Sequence, residues 1–142
     1  MNETMCVDAS LVVALLLPER LTDMATTMWE AWVKQENRIL APSLMGYEVT
    51  SAIYRKVLQG TIAPLDGEAA LHLFLALDID LRYFPELHEV ATQLAGKFKR
   101  PNTYDAHYMA LAKYLSIPLW TTDERLYNSV KHGFPLIHLV GT

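Results

Sequence analysis

Asp8, Glu48, Asp105 and Asp123 are the side chains of this sequence best placed to do chemistry. Asp8 ends a short apolar run, Met5-Cys6-Val7, and Asp123 ends another, Pro118-Leu119-Trp120-Thr121-Thr122. Glu48 and Asp105 fall in the first turns of helical segments that begin after Pro42 and Pro101. In an open parallel sheet, the C-terminal ends of strands and the helix starts beside them share one edge, and ligands bind there. Carboxylates gathered on that edge repel one another unless a cation sits among them. An all-oxygen donor set selects a hard divalent ion, Mg²⁺ or Mn²⁺. The chemistry this suggests is that of a bound divalent metal ion.

Each carboxylate also has a structural duty to be weighed. Asp8 can cap a helix starting near Ser10, a common task for an aspartate after a strand. Asp105 stands three residues after Asn102, and the pair resembles a capping box, with the helix dipole favouring an acid there. Thr121 and Glu124 spell the Thr-x-x-Glu capping pattern, which leaves Asp123 without a structural task. Glu48 has Leu44, Met45, Ser51 and Ala52 at helical spacing, so no lysine or arginine pairs with it along the helix. It shares a side with Ser51, Ala52 and Arg55, away from the core face of Val49, Ile53 and Val57, and suits the wall of a pocket.

Other residues argue against other chemistries. The histidines show no H-E-x-x-H spacing, and on a helix the side chains of Asp105 and His107 diverge by about 200°. Cys6, the single cysteine, excludes an internal disulfide and a multi-cysteine zinc site and reads as a buried thiol. A formal net charge of −4 argues against coating nucleic acid by bulk electrostatics, although two bound divalent ions would cancel it. The apolar stretch 11–17 is stopped by Pro18 and falls far short of the roughly 20 residues of a membrane span. With the first strand starting almost at the N-terminus, no signal peptide is expected and the location expected is cytoplasmic.

The elements that must position these acids alternate regularly. Strands are expected near 4–8, 38–41, 79–84, 118–121 and 136–140, and helices near 10–17, 22–35, 43–59, 64–77, 86–97, 103–116 and 124–131. Alternation of this kind gives an α/β fold: a mostly parallel five-stranded sheet with helices on both faces. The strands are apolar without alternation, as in a sheet covered on both sides. Prolines 42, 64, 85, 101, 118 and 135 all fall at junctions, and Gly60 and Gly133 follow helices as C-caps. A chain of 142 residues, 51% apolar, builds one domain. The apolar segment 62–77 is read as core, with a subunit interface as the alternative.

Val7-Asp8-Ala9-Ser10, Tyr47-Glu48-Val49, the run from Thr103 to Ala112 and Trp120-Thr121-Thr122-Asp123 resemble, in order and spacing, the four motifs of PIN domains. The closest likeness is to VapC-type toxins, the nuclease halves of toxin–antitoxin pairs. The resemblance runs over nearly the whole chain. It implies an endoribonuclease that holds one or two Mg²⁺ or Mn²⁺ ions on Asp8, Glu48, Asp105 and Asp123, with Ser10 and Thr122 as hydroxyl supports. It also implies a homodimer and a protein antitoxin that blocks the site.

RNA must then be gripped as well as cut. Lys97-Phe98-Lys99-Arg100 precedes the Asp105 helix, and Arg55 and Lys56 follow Glu48 by two turns. Arg55, Lys99 and Arg100 are the candidates for the RNA backbone, and Phe98, Tyr104 and Tyr108 for stacking. The alternative for 97–100 is a basic helix end that complements the dipole. Rival readings are a nuclease acting on DNA, a PIN protein of RNA processing without a toxin role, and a non-catalytic binding module. A phosphorelay receiver lacks its paired acids here, and a haloacid-dehalogenase-type phosphatase lacks its Asp-x-Asp, because Ser10 holds the second position.

Overall fold

Short strands β1 (Thr4–Val7), β2 (Arg38–Pro42), β3 (Asp80–Arg82), β4 (Leu119–Thr121) and β5 (Ile137–Leu139) pair in the order β3-β2-β1-β4-β5. Every pairing is parallel, one step beyond the mostly parallel sheet expected. The computed structural model describes residues 2–141. Helices α1 (Ala9–Leu16), α2 (Thr22–Lys34), α3 (Leu44–Leu58), α4 (Pro64–Ala76), α5 (Glu86–Lys97), α6 (Tyr104–Leu115) and α7 (Glu124–Val130) fill the crossovers.

The chain moves outward from β1 to β2 and β3, then crosses back to β4 and β5 on the other side. Right-handed crossovers running in opposite directions put their helices on opposite faces. The packing follows: α1 touches α2, α3 and α4, whereas α5 packs on α6, and α6 lies on β1 and β2. The direction of winding reverses between β1 and β4, which opens a crevice at their C-terminal ends. The register aligns Val7 with Trp120, so the next residues, Asp8 and Thr121, become neighbours at that opening.

Two expectations need correction. Segment 62–77 is core only in part: Gly67, Ala70 and Phe74 are buried, whereas Leu65 and Leu75 are 77% and 69% exposed. The glycine lets α4 press on α3, because a Cβ at Gly67 would lie 2.5 Å from Val57 Cγ2. Gly60 takes φ +75° just past α3, as a C-cap glycine does. Gly133 adopts no such φ; there the need is for space, since a Cβ would meet the Phe98 ring at 3.0 Å. Cys6 is fully buried.

Candidate active site

Among the described residues, Asp8 and Thr121 are the two polar or charged side chains buried with the core. It is the N-cap of α1, its Oδ1 accepting from Leu11 N at 3.1 Å and from Ser10 Oγ at 2.7 Å. Its Oδ2 accepts from Thr121 Oγ1 at 2.5 Å. Capping therefore explains where Asp8 sits without accounting for its burial. Burial pushes the carboxyl from 3.8 up to about 7, against the hydrogen bonds from Thr121, Ser10 and Leu11, and the charge of Asp105 adds to the rise. When Asp8 is ionised, both hydroxyls spend their only proton on it. The 3.2 Å Ser10–Thr121 contact can become a hydrogen bond only when Asp8 carries a proton and releases one of them.

The Thr121–Glu124 capping box does not form. Asp123 is itself the N-cap of α7, its Oδ1 accepting from Leu126 N at 3.1 Å. Thr121 lies two residues earlier, at the end of β4, where its hydroxyl donates to Asp8 and accepts from Asp123 N at 2.9 Å. The hydroxyl that joins β1 to the start of α7 is thus that of Thr121. Thr122, expected as the support, lines the cleft and lends its backbone N–H to Ser10 Oγ at 3.2 Å. The sequence signal for Thr121 was its place at a strand end beside an apolar run, where a buried hydroxyl must find partners.

Glu48 stands half-buried on α3, with Met45, Val49 and Ile53 turned to the core. Tyr108 on α6, 1% exposed, donates to Glu48 Oε1 at 2.6 Å. The tyrosine is therefore no stacking platform for RNA. Burial raises the Glu48 pKa, the Tyr108 hydrogen bond opposes it, Asp105 adds repulsion, and Arg55 and His107 pull it down.

Asp105 has a basic partner that helical spacing does not reveal. Arg100, in the loop before α6, holds Asp105 Oδ2 at 3.2 Å, and its side chain is only 15% exposed. Arg100 is accordingly not a free cation for RNA, and its buried Nε makes no hydrogen bond. The box with Asn102 is absent as well: Thr103 is the N-cap, and Asn102 Oδ1 accepts from Tyr104 N at 3.0 Å. Lys97 leans over the Phe98 ring toward Gly133, and Phe98 packs against the core, so neither faces the acids. Lys99 is exposed with φ +52°, and Arg55 and Tyr104 line the cleft.

That cleft, about 900 Å³, is lined by Ser10, Glu48, Arg55, Lys56, Tyr104 and Asp123 among others, with Asp8 behind Ser10. Among the described residues, Glu48 Oε2, Asp105 Oδ1 and Asp123 Oδ2 accept no hydrogen bond from the protein, so each carboxylate keeps an open oxygen donor. Two of the four acids have raised pKa values to which Asp105 contributes, a repulsion that a divalent cation relieves. Donor type and charge therefore fit a hard cation. The side chains are not drawn in around one point: among the described residues no group of three or more Asp, Glu, His or Cys is close enough to hold a metal ion. No helix among them is long and apolar enough to cross a membrane.

Comparison with known proteins agrees with this architecture. The PIN domain, as a sequence family, matches residues 5–131. Ribonuclease VapC3 of Mycobacterium tuberculosis is 32% identical over 98% of this chain and 93% of its own length. Ribonuclease VapC1 of the same organism is 43% identical over 61% of this chain, a match that spans 63% of VapC1, a little under two thirds. Among solved structures, M. tuberculosis VapC20, a sarcin-ricin loop cleaving toxin, superposes with a TM-score of 0.68 at 17% identity, covering 92% of this chain and 95% of that one. PAE2754 from Pyrobaculum aerophilum does so at 0.61 and 23%, covering 92% and 89%. At those identities the structural likeness is one of fold.

Proposed function

The chain belongs to the PIN-domain family, VapC-like within it, and from that premise we propose that it is an endoribonuclease dependent on Mg²⁺ or Mn²⁺. It acts in the cytoplasm as the toxin of a type II toxin–antitoxin pair, as a homodimer that a protein antitoxin restrains. Asp8, Glu48, Asp105 and Asp123 form the metal-binding and catalytic set. The observation that carries this reading is Asp8: a carboxylate 4% exposed, raised to about 7, and bonded to hydroxyls and a backbone N–H. A purely structural cap needs neither the burial nor the neighbouring acids.

When bound, the divalent ion supplies a water of lowered pKa and charge to offset the leaving oxygen. The protein's part is positional. Ser10, Leu11 N and Thr121 fix both oxygens of Asp8, and Tyr108 fixes one oxygen of Glu48. Arg55 and Lys56, on the cleft wall, meet the RNA phosphates. Asp123 presents its second oxygen while the first caps α7.

The test is cleavage of single-stranded RNA and of matched DNA, with Mg²⁺ or Mn²⁺ and with chelator, by the wild-type chain and by Asp8→Ala checked for folding. RNA should be cut to 5′-phosphate and 3′-hydroxyl ends, only with metal and only by the wild type. A 2′,3′-cyclic phosphate product, or activity surviving in Asp8→Ala, would refute the reading.

A further inference from the structure

Leu44, Tyr47 and Tyr104 line the acidic cleft on one side and a smaller pocket on the other. This second pocket, about 240 Å³, is completed by Tyr83, Leu87, His88 and His107 where β3, α5 and α6 meet. Tyr47, Tyr83 and Tyr104 are 76%, 61% and 53% exposed. Three bare aromatic rings around one opening are more than folding requires, because burying any of them would stabilise the fold.

A hydrogen-bonded chain sets the polarity of the far wall. His107 Nδ1 lies 2.6 Å from the Thr103 carbonyl oxygen, which can only accept, so Nδ1 carries the proton. With neutral rings, His107 Nε2 is then an acceptor, and His88 Nδ1 donates to it at 3.0 Å. His88 Nε2 in turn accepts from the Tyr83 hydroxyl at 3.3 Å. Tyr83, its proton committed, offers a guest only lone pairs, so at this wall an N–H or O–H of the guest is the matching group. Arg82 also lines the pocket, but Asp80 holds its Nε at 2.9 Å and its Nη2 at 2.7 Å. Among the described residues that line the pocket, no lysine or arginine is left without a carboxylate partner to attract a phosphate.

An aromatic pocket of this kind suits a flat ring with donors on its edge. At about 240 Å³ it lies below the roughly 300–1,000 Å³ of sites for drug-sized ligands. Single-stranded RNA is held by stacking unstacked bases on aromatic rings and by hydrogen bonds to their edges. The two pockets share a wall, so a strand whose phosphate occupies the cleft brings a flanking base to this opening. We propose that the pocket of Tyr47, Tyr83, Tyr104, His88 and His107 receives one unstacked nucleobase adjacent to the bond that is cut. The inference rests on the ribonuclease reading above.

The experiment measures kcat/KM with Mg²⁺ on a single-stranded RNA and on versions made abasic at each nucleotide flanking the cleaved bond. In the wild type, one abasic position should lower kcat/KM about 5- to 150-fold, the range that stacking on one aromatic residue spans. Tyr83→Ala and His88→Ala, both at exposed positions, should lower it by a similar factor on intact RNA and add little on that abasic RNA. Full additivity, or variants as active as wild type on intact RNA, would overturn the proposal. So would a dimer that Tyr83→Ala disperses with the abasic penalty unchanged, which would assign this face to a second copy of the chain. Wild-type protein that cuts no RNA would overturn the ribonuclease reading and this inference together, whereas cutting without base dependence would overturn the inference alone.

Discussion

The Tyr108 hydroxyl on α6 donates a 2.6 Å hydrogen bond to Glu48 Oε1 on α3, across 60 residues of sequence. Burial raises the tyrosine's own pKa far above its usual value, so the hydroxyl stays a donor at any working pH. The bond favours ionised Glu48 and opposes the rise that burial causes. Tyr108→Phe should therefore move the Glu48 pKa further up and cost about 1 kcal/mol of stability. Carboxyl ¹³C titration by NMR reads the first effect and urea denaturation the second. A Glu48 pKa that stays put or falls would show that the hydroxyl is not what holds this acid.

Thr121 and Thr122 are adjacent, yet their substitutions should diverge. Thr121→Val strips a fully buried hydroxyl that serves both Asp8 Oδ2 and Asp123 N. Leaving those groups without a partner costs about 1–3 kcal/mol. Thr122→Val touches only the cleft wall and should stay within about 0.5 kcal/mol of wild type. Denaturation midpoints of the two variants decide the matter; equal losses would argue against Thr121 as the link between β1 and α7.

Most of the fold was legible because its signals are local and agree. Prolines confined to junctions, mostly apolar strands and helical periods between them point to one parallel sheet, and winding direction then dictates its crevice. The acids of the proposed site can be named from the sequence, whereas their hydrogen-bond and ion-pair partners cannot. Arg100 meets Asp105 from five residues away, through a loop whose path no helical spacing describes. Thr121 and Glu124 satisfied a capping pattern, yet the strand kept Thr121 and the cap fell to Asp123. Tyr108 by type suits a surface stacking ring, yet the apolar run Met109 to Ala112 beside it marks a buried face. Such partners depend on tertiary register, which single-sequence patterns do not encode.

Arg100 supplies Asp105 with a cation from within the chain. Arg100→Gln should free the carboxylate and tighten Mn²⁺ binding several-fold, as read by titration calorimetry. The metal-free fold should lose only about 1 kcal/mol, because Asp105 is 37% exposed and water replaces much of the pair. Unchanged or weaker Mn²⁺ affinity would mean that Arg100 positions Asp105 without competing for it.

Lys99 is the remaining test of the basic segment before α6, since Arg100 is committed and Lys97 leans toward Gly133. Lys99→Glu should weaken binding of single-stranded RNA and flatten its dependence on salt, with metal affinity unchanged. Fluorescence anisotropy across a salt series measures both. Affinity equal to wild type at every salt concentration would remove Lys99 from the RNA path.

On the proposed reading, Asp8 links pH to metal binding with a defined sign. Its folded pKa, about 7, lies above the ordinary 3.8, so the fold favours the protonated acid. That contribution is complete below pH 3.8 and is lost as pH rises through about 7, a swing on the order of 4 kcal/mol in the metal-free protein. A cation needs the carboxylate, so below pH 7 it must displace a proton, and its affinity should drop about tenfold per pH unit. Mg²⁺ or Mn²⁺ should therefore raise the melting temperature more at pH 8 than at pH 6. Asp8→Asn removes the titrating group. Its metal-free stability should no longer fall between those pH values, and the rise with metal should be reduced or abolished. Thermal unfolding of both proteins at the two pH values, with and without metal, gives the answer. An undiminished rise in Asp8→Asn would place the bound ion elsewhere, and a wild-type rise independent of pH would mean that Asp8 gives up no proton when the ion binds.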